Sequence, residues 1–146
     1  MIVIKVQGGL GNQLLQYSIG YVLAKQFGKD VAYDLSFFEQ DTKYTKRPFL
    51  LDKFNLTIQA ATQEEIYKAR YPLGVLSKAY KLVARILNKY FFKKYNIGYN
   101  KNFLISASQQ KNAYFEGFWQ SHLYYQKKLP ELSKEISLKD ETLLKD

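Results

Sequence analysis

Met1-Ile2-Val3-Ile4-Lys5-Val6-Gln7-Gly8-Gly9-Leu10-Gly11-Asn12-Gln13 is the stretch from which the rest of the chain is read. Its first six residues are mostly β-branched and alternate little, which suits a strand buried on both faces, and they stop at a run of glycine. From Asn12 onward Leu15, Ile19, Leu23 and Phe27 recur every four residues, with Val22 beside them, and Gly28 stands where a helix would end. The pattern predicts an amphipathic helix of about four turns. Asp30 to Ser36 then brings Val31, Ala32, Tyr33 and Leu35, a second short strand reached through a helix long enough for a parallel crossover. The opening reads as a βαβ unit and the fold class as α/β.

Further along, residues 37–59 hold no long period and read as a loop with a short strand or turn near Phe54-Asn55-Leu56. Thr62 followed by Glu65 makes a capping box for a short helix to about Arg70. From Val75 to Tyr95, Lys78, Lys81, Arg85, Lys89 and Lys93 fall on one arc opposite Leu76, Tyr80, Val83, Leu87 and Phe91, a long basic amphipathic helix. Lys101 to Ser106 and Ala113 to Glu116 read as two more short strands, and Trp119 to Lys127 as a helix entered after Gly117-Phe118.

The whole chain of 146 residues, 47% hydrophobic, fits one domain or one part of a larger enzyme. No run of about eighteen apolar residues escapes a charge, and Met1 leads straight into a strand rather than a signal sequence. With no cysteine, disulfide scaffolds, thiol nucleophiles and Cys-ligated zinc are excluded, and a reducing cytoplasm is a compatible setting. His122 is the only histidine, too few for a His metal cage. The net charge of +9 is localised: from Leu76 to Lys128 there are ten Lys or Arg and one acid, Glu116. Such a region can face nucleic acid, an anionic membrane or a phosphorylated substrate. No helix-turn-helix, zinc or RNP-like pattern supports nucleic acid, so none is expected.

A strand that ends in Gly8-Gly9-Leu10-Gly11 and turns into a helix points main-chain N–H groups at whatever lies ahead of the helix, with the positive end of the dipole behind them. Phosphate can dock there, and Gln13 and Gln16 lie on one polar row that can touch the same ligand. Asn12 is placed to cap the helix. Two nucleotide motifs fail: a dinucleotide fingerprint wants Gly or Ala where Leu14 stands, and a Walker loop wants Lys where Asn12 follows Gly11. The alternative is that the glycines only make a tight strand-to-helix turn.

Taken together, Gly8-Gly9-Leu10-Gly11-Asn12-Gln13-Leu14-Leu15-Gln16-Tyr17, with Gly20 and Leu23-Ala24, resembles the N-terminal signature of the bacterial alpha-1,2-fucosyltransferases, glycosyltransferase family 11. Phe115-Glu116-Gly117-Phe118-Trp119-Gln120-Ser121 with Tyr124-Tyr125 resembles a second block, and Arg47-Pro48-Phe49 through Leu51-Asp52-Lys53-Phe54-Asn55 the segment between. The resemblance implies inverting, metal-independent transfer of L-fucose from GDP-fucose to the 2-hydroxyl of a galactoside in surface-glycan (O-antigen) synthesis. It implies no cofactor, and a fold of two Rossmann-like halves (GT-B-like) of which this chain is like the first. The divisions expected are residues 1–128, a Rossmann-like domain, and 129–146, the start of a connection to a donor domain. By the same likeness Gly8, Gly9, Gly11, Asn12 and Gln13 are donor-side residues, and Trp119, Gln120 and Ser121 face the acceptor. The family's His-x-Arg-Arg-x-Asp motif is absent, and its arginine is the group expected to neutralise the departing GDP. The expectation is a truncated or N-terminal segment with little transferase activity on its own. The rival is a non-catalytic nucleotide-sugar or phosphate-binding module.

Single residues keep two readings each. Asp34, at the end of the second strand, is a base for an acceptor hydroxyl or a carboxylate capping a turn. Glu116 is a base or the partner of a neighbouring lysine. Trp119 stacks on a sugar or fills the core. The basic face of residues 75–95 is solvated, or it meets anionic lipid or a lipid-linked, galactose-containing acceptor at the inner face of the membrane.

Overall fold

The computed structural model describes residues 1–39, 47–71 and 102–140. β1 (Ile2–Lys5) runs parallel to β2 (Val31–Asp34) on one side and to β3 (Ala113–Phe115) on the other, giving the order β2-β1-β3. Residues 59–61 lie against the outer edge of β2: Tyr33 N donates to Gln59 O and Ala61 N to Tyr33 O, each at 2.8 Å. The order from that edge is therefore 59–61, β2, β1, β3, compatible with a Rossmann-like arrangement. The chain steps outward from β1 through β2, then returns to β1's other side. That reversal places a topological switch point between β1 and β3, and in open α/β sheets ligands bind at the C-terminal ends of the strands at such a point.

Alternation along β1 sorts the faces. Ile2, Ile4 and Val6 belong to the larger core with α1 (Leu10–Phe27), whereas Val3 joins Tyr114 and the Ile66 and Ala69 side chains of α2 (Gln63–Arg70). α1 and α2 thus cover opposite faces. α1 is not one-sided as its period suggested, since Gln16 through Leu23 are buried without interruption. The sheet covers one flank, and α3 (Phe103–Gln109) and α4 (Leu129–Glu135) lie against others. It ends at Gly28, in the left-handed region at φ 62°, with Gly28 N donating to Ala24 O.

Thr62 caps α2 as its sequence dictates: Thr62 Oγ1 accepts from Glu65 N and the Glu65 carboxylate accepts from Thr62 N. Phe54 makes a bridge to Leu138 rather than a strand. Two expectations are corrected. Where a strand was expected over Lys101 to Ser106, Phe103–Gln109 form the helix α3, because Phe103 and Ala107, four apart, are buried while Ile105 is exposed, a helical and not a twofold period. The helix expected over Trp119 to Lys127 is a single 3-10 turn, His122–Tyr124. Its length is limited by Trp119, Tyr124 and Tyr125, which are all buried although no one helix face holds them. Residues 129–140 pack back on the same body, with Leu132 in the core and Tyr21 donating to Glu135 at 3.2 Å. The basic stretch 75–95 lies outside the described residues. No helix among the described residues is long and apolar enough to cross a membrane.

Candidate functional site

The glycine loop sits at the C-terminal edge of β1. Gly8 takes φ +83°, which explains its lack of a side chain, and Gly9 is the N-cap of α1. The helix starts at Leu10, so Asn12 lies inside its first turn and gives no side-chain cap, contrary to expectation. Gln13 N donates to Gly9 O, but no group among the described residues accepts from the N–H of Gly9, Leu10, Gly11 or Asn12. The first turn carries no acid. A Cβ on Gly9 or Gly11 would meet nothing within 4 Å, so no internal contact demands glycine at either place. Gly11 is exposed, and Gly9, Leu10 and Asn12 are half-buried.

Gln13 and Gln16, expected beside a ligand, are instead fully buried. Gln13 Nε2 donates to Gly8 O and Pro48 O, both at 2.9 Å, and its Oε1 accepts from Leu50 N at 2.9 Å. Gln16 Oε1 accepts from Gln7 N at 2.9 Å and its Nε2 donates to Gly117 O at 3.0 Å. The polar row is internal scaffolding: it ties the glycine loop to residues 48–50 and to the chain leaving β3.

On the α2 face of the same edge lie the ends of all three strands. Asp34 is wholly buried; it accepts from Tyr114 Oη at 2.6 Å and from Ser36 N at 2.9 Å, with Arg70 Nη2 at 3.5 Å. Burial alone would raise its pKa, but the bonds from Tyr114 and Ser36 and the Arg70 charge outweigh burial and hold the carboxyl below its usual range. Both oxygens are spent, so Asp34 is no open base; it holds a turn, as its second reading had it. Arg70 also donates to Tyr114 Oη at 2.6 Å and stacks its guanidinium on that ring. Burial first, and then the bond to Asp34, pushes the Tyr114 hydroxyl far above its ordinary value.

Glu116 pairs with Lys5 at 2.8 Å, the lysine side chain 19% exposed and the carboxylate 43%. Trp119 is buried against Phe103, with ring centroids 5.6 Å apart, and its carbonyl accepts from Tyr125 Oη. Its ring is core rather than a sugar platform. Gln120 is exposed and Ser121 half-buried. The sequence reading missed Lys5, Arg70 and Tyr114. The signal for Lys5 was present in the twofold alternation of β1, which puts it on the face opposite Ile4; Arg70 and Tyr114 meet only through the fold. A groove of about 410 Å³ runs between α1 and residues 55–59, and none of its lining residues belongs to the glycine loop.

One curated relative resembles the chain over nearly all of its length: an alpha-1,2-colitosyltransferase of Escherichia coli, 28% identical over 143 residues. The likeness is to a glycosyltransferase. The aligned region is 94% of this chain but 46% of the relative, so the chain spans about half the length of the protein it matches. No family model and no solved structure matches.

Proposed function

We propose that the chain is the N-terminal half of an alpha-1,2-glycosyltransferase whose glycine loop receives the anionic linker of a nucleotide sugar. The observation that carries this reading is that the N–H groups of Gly9, Leu10, Gly11 and Asn12, beside the switch point, have no acceptor among the described residues, and that no contact among those residues requires glycine at positions 9 and 11. The 28% likeness to the colitosyltransferase supports the reaction class. The donor is GDP-fucose, with the corresponding colitose donor as the second candidate, and the acceptor is the 2-hydroxyl of a galactose-containing glycan. The transfer is inverting and needs no metal. As the glycosidic bond to phosphate breaks, charge moves onto the diphosphate, and donors aimed at that position stabilise the transition state more than the ground state. Gly8, Gly9, Gly11 and Asn12 form the donor edge, Gln13 and Gln16 hold it in place, and Gln120 and Ser121 lie on the acceptor side. The remaining arginine chemistry belongs to a second half, which is why the chain alone is assigned little turnover. The lysines of residues 75–95 are assigned to anionic lipid or a lipid-linked acceptor.

An amide-resolved titration with GDP tests this. Shifts at Gly9, Leu10, Gly11 and Asn12 are expected, and Gly11→Val, which fills the free space, should weaken binding about tenfold without loss of fold. Saturating GDP that leaves those amides unmoved would overturn the reading. Radiolabelled fucose transfer separates the fragment from a complete enzyme: turnover by the chain alone at the rate of a full-length relative would refute the assignment to half an active site.

A further inference from the structure

The Lys5–Glu116 pair stands at the switch point itself. Lys5 ends β1 and Glu116 follows β3, the two parallel strands between which the order of strand addition reverses. Lys5 is two residues before Gln7, and about 10 Å of extended chain separates it from Gly8. Glu116 is joined to the same loop from the other side, because Gly117 O accepts from Gln16, which also holds Gln7 N. The other charges on this face are already committed: Asp34 is saturated by Tyr114 and Ser36, and Arg70 is held on Tyr114 and Asp34. Lys5 is different. Its single partner among the described residues is a carboxylate 43% exposed, a contact that water and mobile ions weaken readily.

We propose that Lys5 is an anion ligand held in reserve by Glu116. This rests on the glycine loop's being the phosphate site and adds what the loop lacks, a full positive charge, since helix-end N–H groups carry only partial charges. A diphosphate docking on the loop draws the Lys5 ammonium away from Glu116, and the carboxylate is released. Glu116 therefore competes with the ligand for one cation. Charge alone gives the two single variants opposite signs, so the double variant decides: if Glu116 acts only by holding Lys5, its removal changes nothing once Lys5 is gone, and a double variant that binds tighter than Lys5→Gln overturns the competition.

The test is calorimetric titration of the full chain with inorganic pyrophosphate at low salt, with thermal midpoints recorded for every variant. Glu116→Gln should bind pyrophosphate several-fold tighter than the parent, and Lys5→Gln about tenfold weaker. The double variant should match Lys5→Gln. Affinities that stay level in both variants, or fall in both, overturn the proposal while leaving the loop reading in place. If neither the parent nor Glu116→Gln binds pyrophosphate, the loop reading falls as well. Glu116 is half-exposed and its glutamine variant is isosteric, so a folded variant carries the test even where Lys5→Gln is unstable.

Discussion

Tyr114 joins three elements through one oxygen, donating to Asp34 at the end of β2 and accepting from Arg70 at the end of α2. Tyr114→Phe leaves a buried carboxylate oxygen short of its donor and should cost about 1–3 kcal/mol at neutral pH. The pH dependence follows from the depressed pKa of Asp34: its ionised form contributes stability above the unfolded pKa of about 3.9, and that contribution is lost as pH falls through the lower folded value. In urea unfolding, the gap between parent and variant should be constant from neutral pH down to about pH 5 and narrow in more acid solution. A gap independent of pH would mean that the hydroxyl acts by packing alone. Gly20 shows a different kind of requirement. A Cβ there would lie 2.3 Å from the Tyr33 hydroxyl, which is buried and donates to Tyr17 O, so helix and strand touch with no room between them. Gly20→Ala should cost about 1–3 kcal/mol by the same urea measurement. Leu14 denied the chain the close approach of a dinucleotide fingerprint; the approach is made at Gly20, further along the same helix.

At the level of elements, what the sequence made legible was local. The strand-to-helix start, the Gly28 stop and the Thr62–Glu65 capping box are each decided by residues a few positions apart, and each stands where its chemistry places it. Residues 103–109 were misread because Phe103 and Ile105 satisfy a twofold pattern as well as Phe103 and Ala107 satisfy a fourfold one, and burial decides between them. The glutamines were legible as an anomaly, amides on a helix with no polar reason to be there, but not in purpose. Their partners at Pro48, Leu50 and Gly117 lie 35, 37 and 101 residues away. Gln16→Leu would strand Gln7 N–H and Gly117 C=O, at about 2–4 kcal/mol for the two. Hydrogen exchange at Gln7 should quicken more than at the centre of α1; equal change at both would indicate global loosening instead.

For the molecule as a whole, sheet order matters more than any motif. The sequence supplied a first crossover, but only the return of β3 to β1 defines the switch point beside the glycine loop, and that pairing spans more than a hundred residues. The same long range hid the ion pairs, since Lys5 and Glu116 are distant in sequence and adjacent only across parallel strands. On the proposed reading, the excess of positive charge, +9 overall, would add a long-range attraction for GDP to the loop contacts. Affinity for GDP should therefore fall steadily from about 0.05 to 0.5 M salt, as the screening length contracts toward the size of the site. Salt-insensitive binding would point to base and ribose contacts in place of the anionic linker.

The unfilled position at Gly11 also offers a practical handle. Because the chain contains no cysteine and a Cβ there meets nothing within 4 Å, Gly11→Cys would carry the protein's sole thiol at the mouth of the loop. A bound anion should shield that thiol from a small alkylating reagent, so the rate of labelling would read occupancy of the loop without radiolabel and without knowing the acceptor.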